Sequence, residues 1–517
     1  MIDNPSVSIL QNDGLAYPQN PPYHPPQIFS ELSFLKSVAP DPLNNVYGTV
    51  RDLLIDLGLD KEQIGTPSWN PLRSLIHPGE TVVIKPNAVW DLIIKKGETV
   101  FASITHGSVI RPIIDYAYKA LSGRGRLIVA DCPIAHSDFG NWSRLTGMES
   151  IASFYRDVHR FRVEVYDCRK LYAPWDFVKA YAPSHLRQYK DRDPAGYVEV
   201  DLGPQSEFAP LPERLCRMLY GSDYDRSLTV HHHIEGRHRY CMAKTFLEAD
   251  LLISVPKLKV HSLVGVTLNL KGFVGTQGDK NYIPHHRVGN VLRRGDEHPD
   301  LGLSQNLLNR YRMWLLTTVL SRRTPVVDRL YRMLFPFQRY AQRLLDRWGQ
   351  FRQGSKYRGN ITGGAWYGND TAWRMALDLS RIVLYSDKEG RLRQAPQRHF
   401  FSLVDGVLAG EGQGPLSPTA KPCGVIMGGF NPLAVDIAGA RLMGFSPARI
   451  RMLREGLQRR WLKTWNGDED QIKIGTNQPF LRALMTREGH YLNFTPPQGW
   501  RGHIEMQESE KDEETPF

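Results

Sequence analysis

A chain of 517 residues, 41% hydrophobic and 23% charged, has an ordinary globular composition. It contains no run approaching the ~20 apolar residues of a membrane-spanning helix. The net charge of +11 suggests nucleic acid until it is located: 305–360 holds twelve Lys and Arg against two Asp, so the rest of the chain is near neutral. Cys132, Cys168, Cys216, Cys241 and Cys423 are scattered without a C-x-x-C pair, which argues against a disulfide framework or a cysteine-ligated cluster. The opening residues lack a basic region followed by an apolar core, so no secretory signal is read there. The expected location is the cytoplasm, with peripheral attachment to the membrane left open.

Residues 1–40 are rich in Pro, Asn and Tyr and read as an N-terminal arm, draped on the body or disordered. The first part of an α/β core is expected over 41–304. In it, 46–57 carries Val50, Leu53, Leu54 and Leu57 on one helical face. A strand over 81–84 closes on Lys85-Pro86-Asn87, a helix follows over 108–121, and a second strand over 126–130 ends at Asp131. Strand, helix and strand imply a parallel βαβ unit with a right-handed crossover. The stretch 166–240 is polar and yields no clear pattern.

The stretch 249–275 is the pivot of the reading. Leu251 to Val255 are uniformly apolar, as a buried strand requires. Pro256 lacks an N–H and is expected to end the ladder. Lys257, Lys259, His261, Thr267, Asn269 and Lys271 follow, polar groups gathered where an α/β sheet places its sites.

Beyond it, 305–360 interleaves arginines with apolar residues at helical spacing and reads as a basic amphipathic helical insertion. The core resumes over 361–460. There a helix over 370–383 has Asp370 or Thr371 as its cap, and a strand over 400–404 ends at Asp405. A Gly-rich loop over 410–415 precedes a strand over 424–427, and a helix over 434–443 carries Asp436. Residues 461–517 form a C-terminal extension with an acidic tail. The fold class is α/β, a mostly parallel sheet flanked by helices.

The blocks Lys85-Pro86-Asn87, Val255-Pro256-Lys257-Leu258-Lys259-Val260-His261, Thr267-Leu268-Asn269-Leu270-Lys271-Gly272 and Asp405-Gly406 with Glu411-Gly412-x-Gly414-Pro415 resemble the bacterial and archaeal "domain of unknown function 362" family. The helix around Val435 and Asp436 and the run 278–287 are similar to that family's longer members. The resemblance spans about 81–445 and implies an α/β fold with a shared site. Some relatives carry ferredoxin-like cysteine clusters. This chain has no such cysteines, so no iron–sulfur cluster is expected.

The leading expectation is an enzyme, reaction class open, acting on a small anionic carboxylate or phosphate. Lys85 and Lys257 would neutralise the ligand, Asn87 and Asn269 would hydrogen-bond it, and Gly412 and Gly414 would offer backbone N–H groups. His261, Lys259 and Lys271 would do the chemistry, because a desolvated lysine loses its proton readily and histidine titrates near neutrality. Asp405, Asp131, Asp436 and Glu411 could hold a divalent cation, with His261, His285 and His286 as borderline ligands beside Asp405. Two other readings stay open. One is a non-catalytic ligand-binding or scaffold protein that docks on a membrane or protein partner through 305–360. The other is a metal-cofactor or redox enzyme, by analogy with the lactate racemase type. Nucleic acid is not indicated, since no groove-reading motif accompanies the basic segment.

Overall fold

In the computed structural model, the residues described are 3–93, 97–173, 188–221, 226–299, 363–458, 467–486 and 491–506, with 326, 329, 333, 462 and 465 standing singly. The basic segment 305–360, apart from three of those single positions, and the end of the acidic tail lie outside them.

The strands of the main sheet, in chain order, are β1 (Ser6–Gln11), β2 (Thr81–Pro86), β3 (Arg126–Asp131), β4 (Val163–Asp167), β5 (Leu251–Val255), β6 (Lys257–His261), β7 (Gly265–Val266), β8 (His399–Gln413), β9 (Ser417–Gly429) and β10 (Lys473–Thr476). Their lateral order is β10-β1-β9-β8-β5-β2-β3-β4, with β6 beside the second half of β8 and β7 beside β6. Every residue of β5 is buried. It pairs in parallel with β2 (Ile253 opposite Ile84) and with β8 (Ile253 opposite Phe401). The block β8-β5-β2-β3-β4 is parallel throughout, and β8, β9 and β1 add antiparallel pairs. The α/β expectation holds.

A parallel sheet needs cover on both faces, and alternate residues of each strand enter different cores. Val82, Ile84, Leu127, Val129, Leu251 and Ile253 join one core, together with residues of α1 (Asn45–Asp56), α2 (Gly107–Leu121) and α3 (Met148–His159). Val83, Ile128, Ala130 and Leu252 join the other, with α4 (Leu268–Gly272), α5 (Ala372–Tyr385) and α6 (Pro432–Leu442). Thr371 is the N-cap of α5, as expected, but makes no side-chain capping bond; Asn369 Oδ1 instead accepts the N–H groups of Thr371 and Ala372.

Three expectations change. The N-terminal forty residues are not merely an arm, because β1 sits inside the sheet between β9 and β10. The C-terminal extension likewise supplies β10. Pro256 does not end the pairing: β8 is long enough to take β5 against its first half and β6 against its second, with Pro256 at the joint. The Pro256 carbonyl accepts the Asp405 N–H at 2.9 Å. Asp405 therefore lies inside β8, and most of the expected glycine-rich loop is the end of that strand, which pairs on to Gln413.

Candidate functional site

The parallel strands β2 and β3 end side by side, and Lys85, next to last in β2, and Asp131, last in β3, are both buried. Lys85 Nζ donates to Asp131 Oδ2 at 3.2 Å and to the Pro86 carbonyl at 2.9 Å. The same carboxylate oxygen accepts the Ala88 N–H at 2.9 Å. Gly275 closes over this pair, and only glycine fits: a Cβ there would lie 2.1 Å from Asp131 Oδ1 and 2.5 Å from Lys85 Nζ.

β6, α4 and the turns after it complete a cleft of about 70 Å³. Its polar lining is Lys85, Asn87, Asp131, Lys259, His261, Thr267, Lys271 and Lys280. Among the described residues, four lysines and one carboxylate thus line the cleft. Lys259 is fully buried, and its Nζ donates to the carbonyls of Ser103 (2.6 Å) and Pro415 (3.3 Å). Lys280 Nζ donates to the Val274 carbonyl at 2.6 Å. The Lys271 Nζ has no hydrogen-bond partner among the described residues.

Burial, then the neighbouring cations, explains the titration of these groups. Burial pulls Lys271 from 10.5 to about 7, helped by the charge of Lys280. It takes Lys280 to about 8, opposed by Cys132 and Asp131. Lys259 falls well below its ordinary value through burial and then Lys257 and Lys271. His261 is driven well down by burial, Lys271 and Lys259. Its Nδ1 accepts the Leu263 N–H at 3.1 Å, so the neutral ring carries its proton on Nε2.

Several residues expected at the site lie elsewhere. Lys257 pairs with Asp405 at 3.0 Å, and both side chains are fully buried away from the cleft lining. Asp405 also accepts the Tyr17 hydroxyl (2.7 Å) and the His106 N–H (3.0 Å), while Lys257 donates to Tyr17 as well. Tyr17 stacks on His106 with ring centroids 4.1 Å apart. This is a closed polar network with no open position for a ligand. Asn269 and Asp436 form a second one. Asp436 accepts the N–H groups of Asn269 and Leu270 and the Asn269 side-chain amide, each at 2.9 Å, and Ser402 donates to Asn269 Oδ1 at 3.0 Å. Burial pushes Asp436 up to about 7 against the pull of those donors. Together the pair holds the turn into α4, where Leu268 takes a φ of 41°.

Glu411 pairs with Lys421 at 3.3 Å and accepts the Thr495 N–H at 2.9 Å. The Gly412 N–H donates to the Thr495 carbonyl and the Gly414 N–H to the Gly412 carbonyl, so neither is offered to the cleft. Gly414 is instead a close approach, since a Cβ would meet the Val260 carbonyl oxygen at 2.2 Å. Asp405, Asp131, Asp436 and Glu411 therefore do not converge. Among the described residues, no three His, Cys, Asp or Glu side chains gather in a metal-holding group.

The structure brings together Lys85, Asn87, Asp131, Lys259, His261 and Lys271. Sequence reasoning missed Lys280, although it lies in the run 278–287 that marked the resemblance. It also missed Tyr17, which sat in a stretch read by composition alone.

An α/β protein with a cation-lined cleft at the carboxyl ends of parallel strands is the class that this geometry defines. The family whose description is "domain of unknown function (DUF362)" matches residues 205–441, the stretch that carries β5, β6, α4, β8 and α6. Comparison with curated proteins and with solved structures finds no match.

Proposed function

We propose that this protein binds a small carboxylate or phosphate in the cleft and acts on it as an enzyme. The observation that carries the reading is the imbalance of charge. Lys85, Lys259, Lys271 and Lys280 share the lining with Asp131, its single carboxylate among the described residues, which Lys85 already engages. An anion would restore the protons that burial draws from Lys259, Lys271 and Lys280, which is how binding and protonation become linked. The side chain of Asn87, with no hydrogen-bond partner among the described residues, and the Nε2–H of His261 supply neutral donors beside the cations. The five cysteines are all buried and unpaired, which fits a reducing compartment, and we place the protein in the cytoplasm. Among the described residues no helix is long and apolar enough to cross a membrane.

Isothermal titration with inorganic phosphate and with pyruvate tests the reading. Saturable binding that falls at least tenfold in Lys259→Met and Lys271→Met, with the circular dichroism spectrum unchanged, is the expected result. Equal affinity in folded variants would remove the cleft from consideration.

A further inference from the structure

The four cleft lysines are not equivalent. Lys85 is held by Asp131, and Lys259 and Lys280 are held by backbone carbonyls at 2.6 Å. Such contacts fix an ammonium as a point charge and hinder its lone pair from attacking. Lys271, buried at the same cleft, has no such tether among the described residues. The other nucleophile of the lining, Cys132, donates its thiol to the Cys168 carbonyl at 3.1 Å.

We infer that Lys271 forms an imine with a small 2-oxo acid, whose carboxylate is held by Lys259 and Lys280; this rests on the anion-binding reading and narrows its substrate class. The neutral Nζ of Lys271 attacks the carbonyl carbon. A C–N bond forms, and the carbonyl π pair moves to oxygen, which takes up a proton. The C–O bond of the carbinolamine then breaks, water leaves, and the nitrogen releases its protons to give a neutral imine. Formation consumes one amine and one carbonyl and yields one imine and one water, so no oxidant or reductant is needed. The two protons that the nitrogen releases end on the departing oxygen, which leaves as water, and His261, neutral and lining the same cleft, steadies that oxygen with a hydrogen bond from Nε2–H. A lysine lowered to about 7 is half neutral at physiological pH, whereas an ordinary lysine is almost wholly protonated.

The test uses the full chain with glyoxylate or pyruvate, followed by sodium borohydride, intact mass measurement and peptide mapping, with calorimetric binding of the same acids in parallel. One reduced adduct per chain, mapped to Lys271 and lost in Lys271→Met, is the expected result, with trapping that rises as the pH crosses about 7. Mapping on the wild-type chain decides the point even where the variant folds poorly. Saturable binding without an adduct at Lys271 overturns the imine and leaves the anion site standing. Adducts confined to other lysines also overturn it. Absence of binding by both oxo acids and by phosphate overturns the imine and the anion reading together.

Discussion

Two lysine–aspartate pairs stand close together at this end of the sheet. Lys257–Asp405 has 0% side-chain exposure on both partners, and Lys85–Asp131 has 4% on both. Their burial is nearly the same, but their remaining hydrogen-bonding capacity is not. Asp405 receives Lys257, Tyr17 and His106 on its two oxygens, and Tyr17 in turn receives Lys257 and the Leu408 N–H. That closed network ties the N-terminal segment, α2, β6 and β8 into one joint. Asp131 instead lies on a cleft with more cations than it can neutralise. A buried charge whose partners are all supplied by the protein is part of the frame, and one that faces unmatched charge is available to a ligand.

Breaking the frame is expected to have the largest effect. Asp405→Ala leaves Lys257 buried without its counter-ion and should cost about 3–5 kcal/mol of unfolding free energy in a denaturant titration. A loss no greater than that of a surface substitution would refute the frame assignment. Tyr17→Phe keeps the ring stacked on His106 and deletes the hydroxyl that Asp405, Lys257 and Leu408 share. About 1–3 kcal/mol should disappear.

On the cleft side, Gly275→Ala drives a methyl between Lys85 and Asp131, and phosphate affinity should fall at least tenfold, about 1.4 kcal/mol. Calorimetry checks this, and unchanged affinity would detach that pair from the site.

The subtlest expectation concerns protons. Lys271 titrates near 7 in the fold and near 10.5 when free. Between those values the unfolded chain binds the additional proton, so its contribution to stability rises with pH across that window. Lys271→Met should therefore stabilise the fold most below about pH 7, with the gain shrinking towards pH 10.5 in parallel denaturation curves. Lys259 and Lys280 are shifted in the same direction. Phosphate binding above pH 7 should accordingly take up protons, read as a dependence of the binding enthalpy on the buffer's ionisation enthalpy. Proton release would invert the electrostatic picture of the cleft.

Local pattern carried the sequence as far as the main elements and most of the polar cleft lining, Lys280 excepted. Short apolar runs and helical apolar spacing placed β2, α2, β3, β5, α5 and α6 close to where they lie, and Lys85, Asp131 and Lys259 followed from the rule that sites gather at strand ends. β1 was hidden because a six-residue strand flanked by prolines is defined by the strands that receive it. The continuation through Pro256 was hidden for a related reason: a proline at a joint between two half-length pairings gives the same signal as one that ends a strand. Asp405, Asn269 and Asp436 looked like ligand groups because a polar residue next to an apolar run reads the same whether it meets a substrate or another side chain.

By itself, then, the sequence determined the layered α/β class, the parallel βαβ start and the crowd of lysines near one strand end, because periodicity and local residue chemistry are properties of neighbours along the chain. Only the tertiary structure decided which lysines are held and which is free, since Tyr17 and Asp405 are 388 positions apart and Asn269 and Asp436 are 167 apart. The pairing of buried charges is settled by contacts between distant segments, and among the described residues those contacts leave the Lys271 side chain untethered in the cleft.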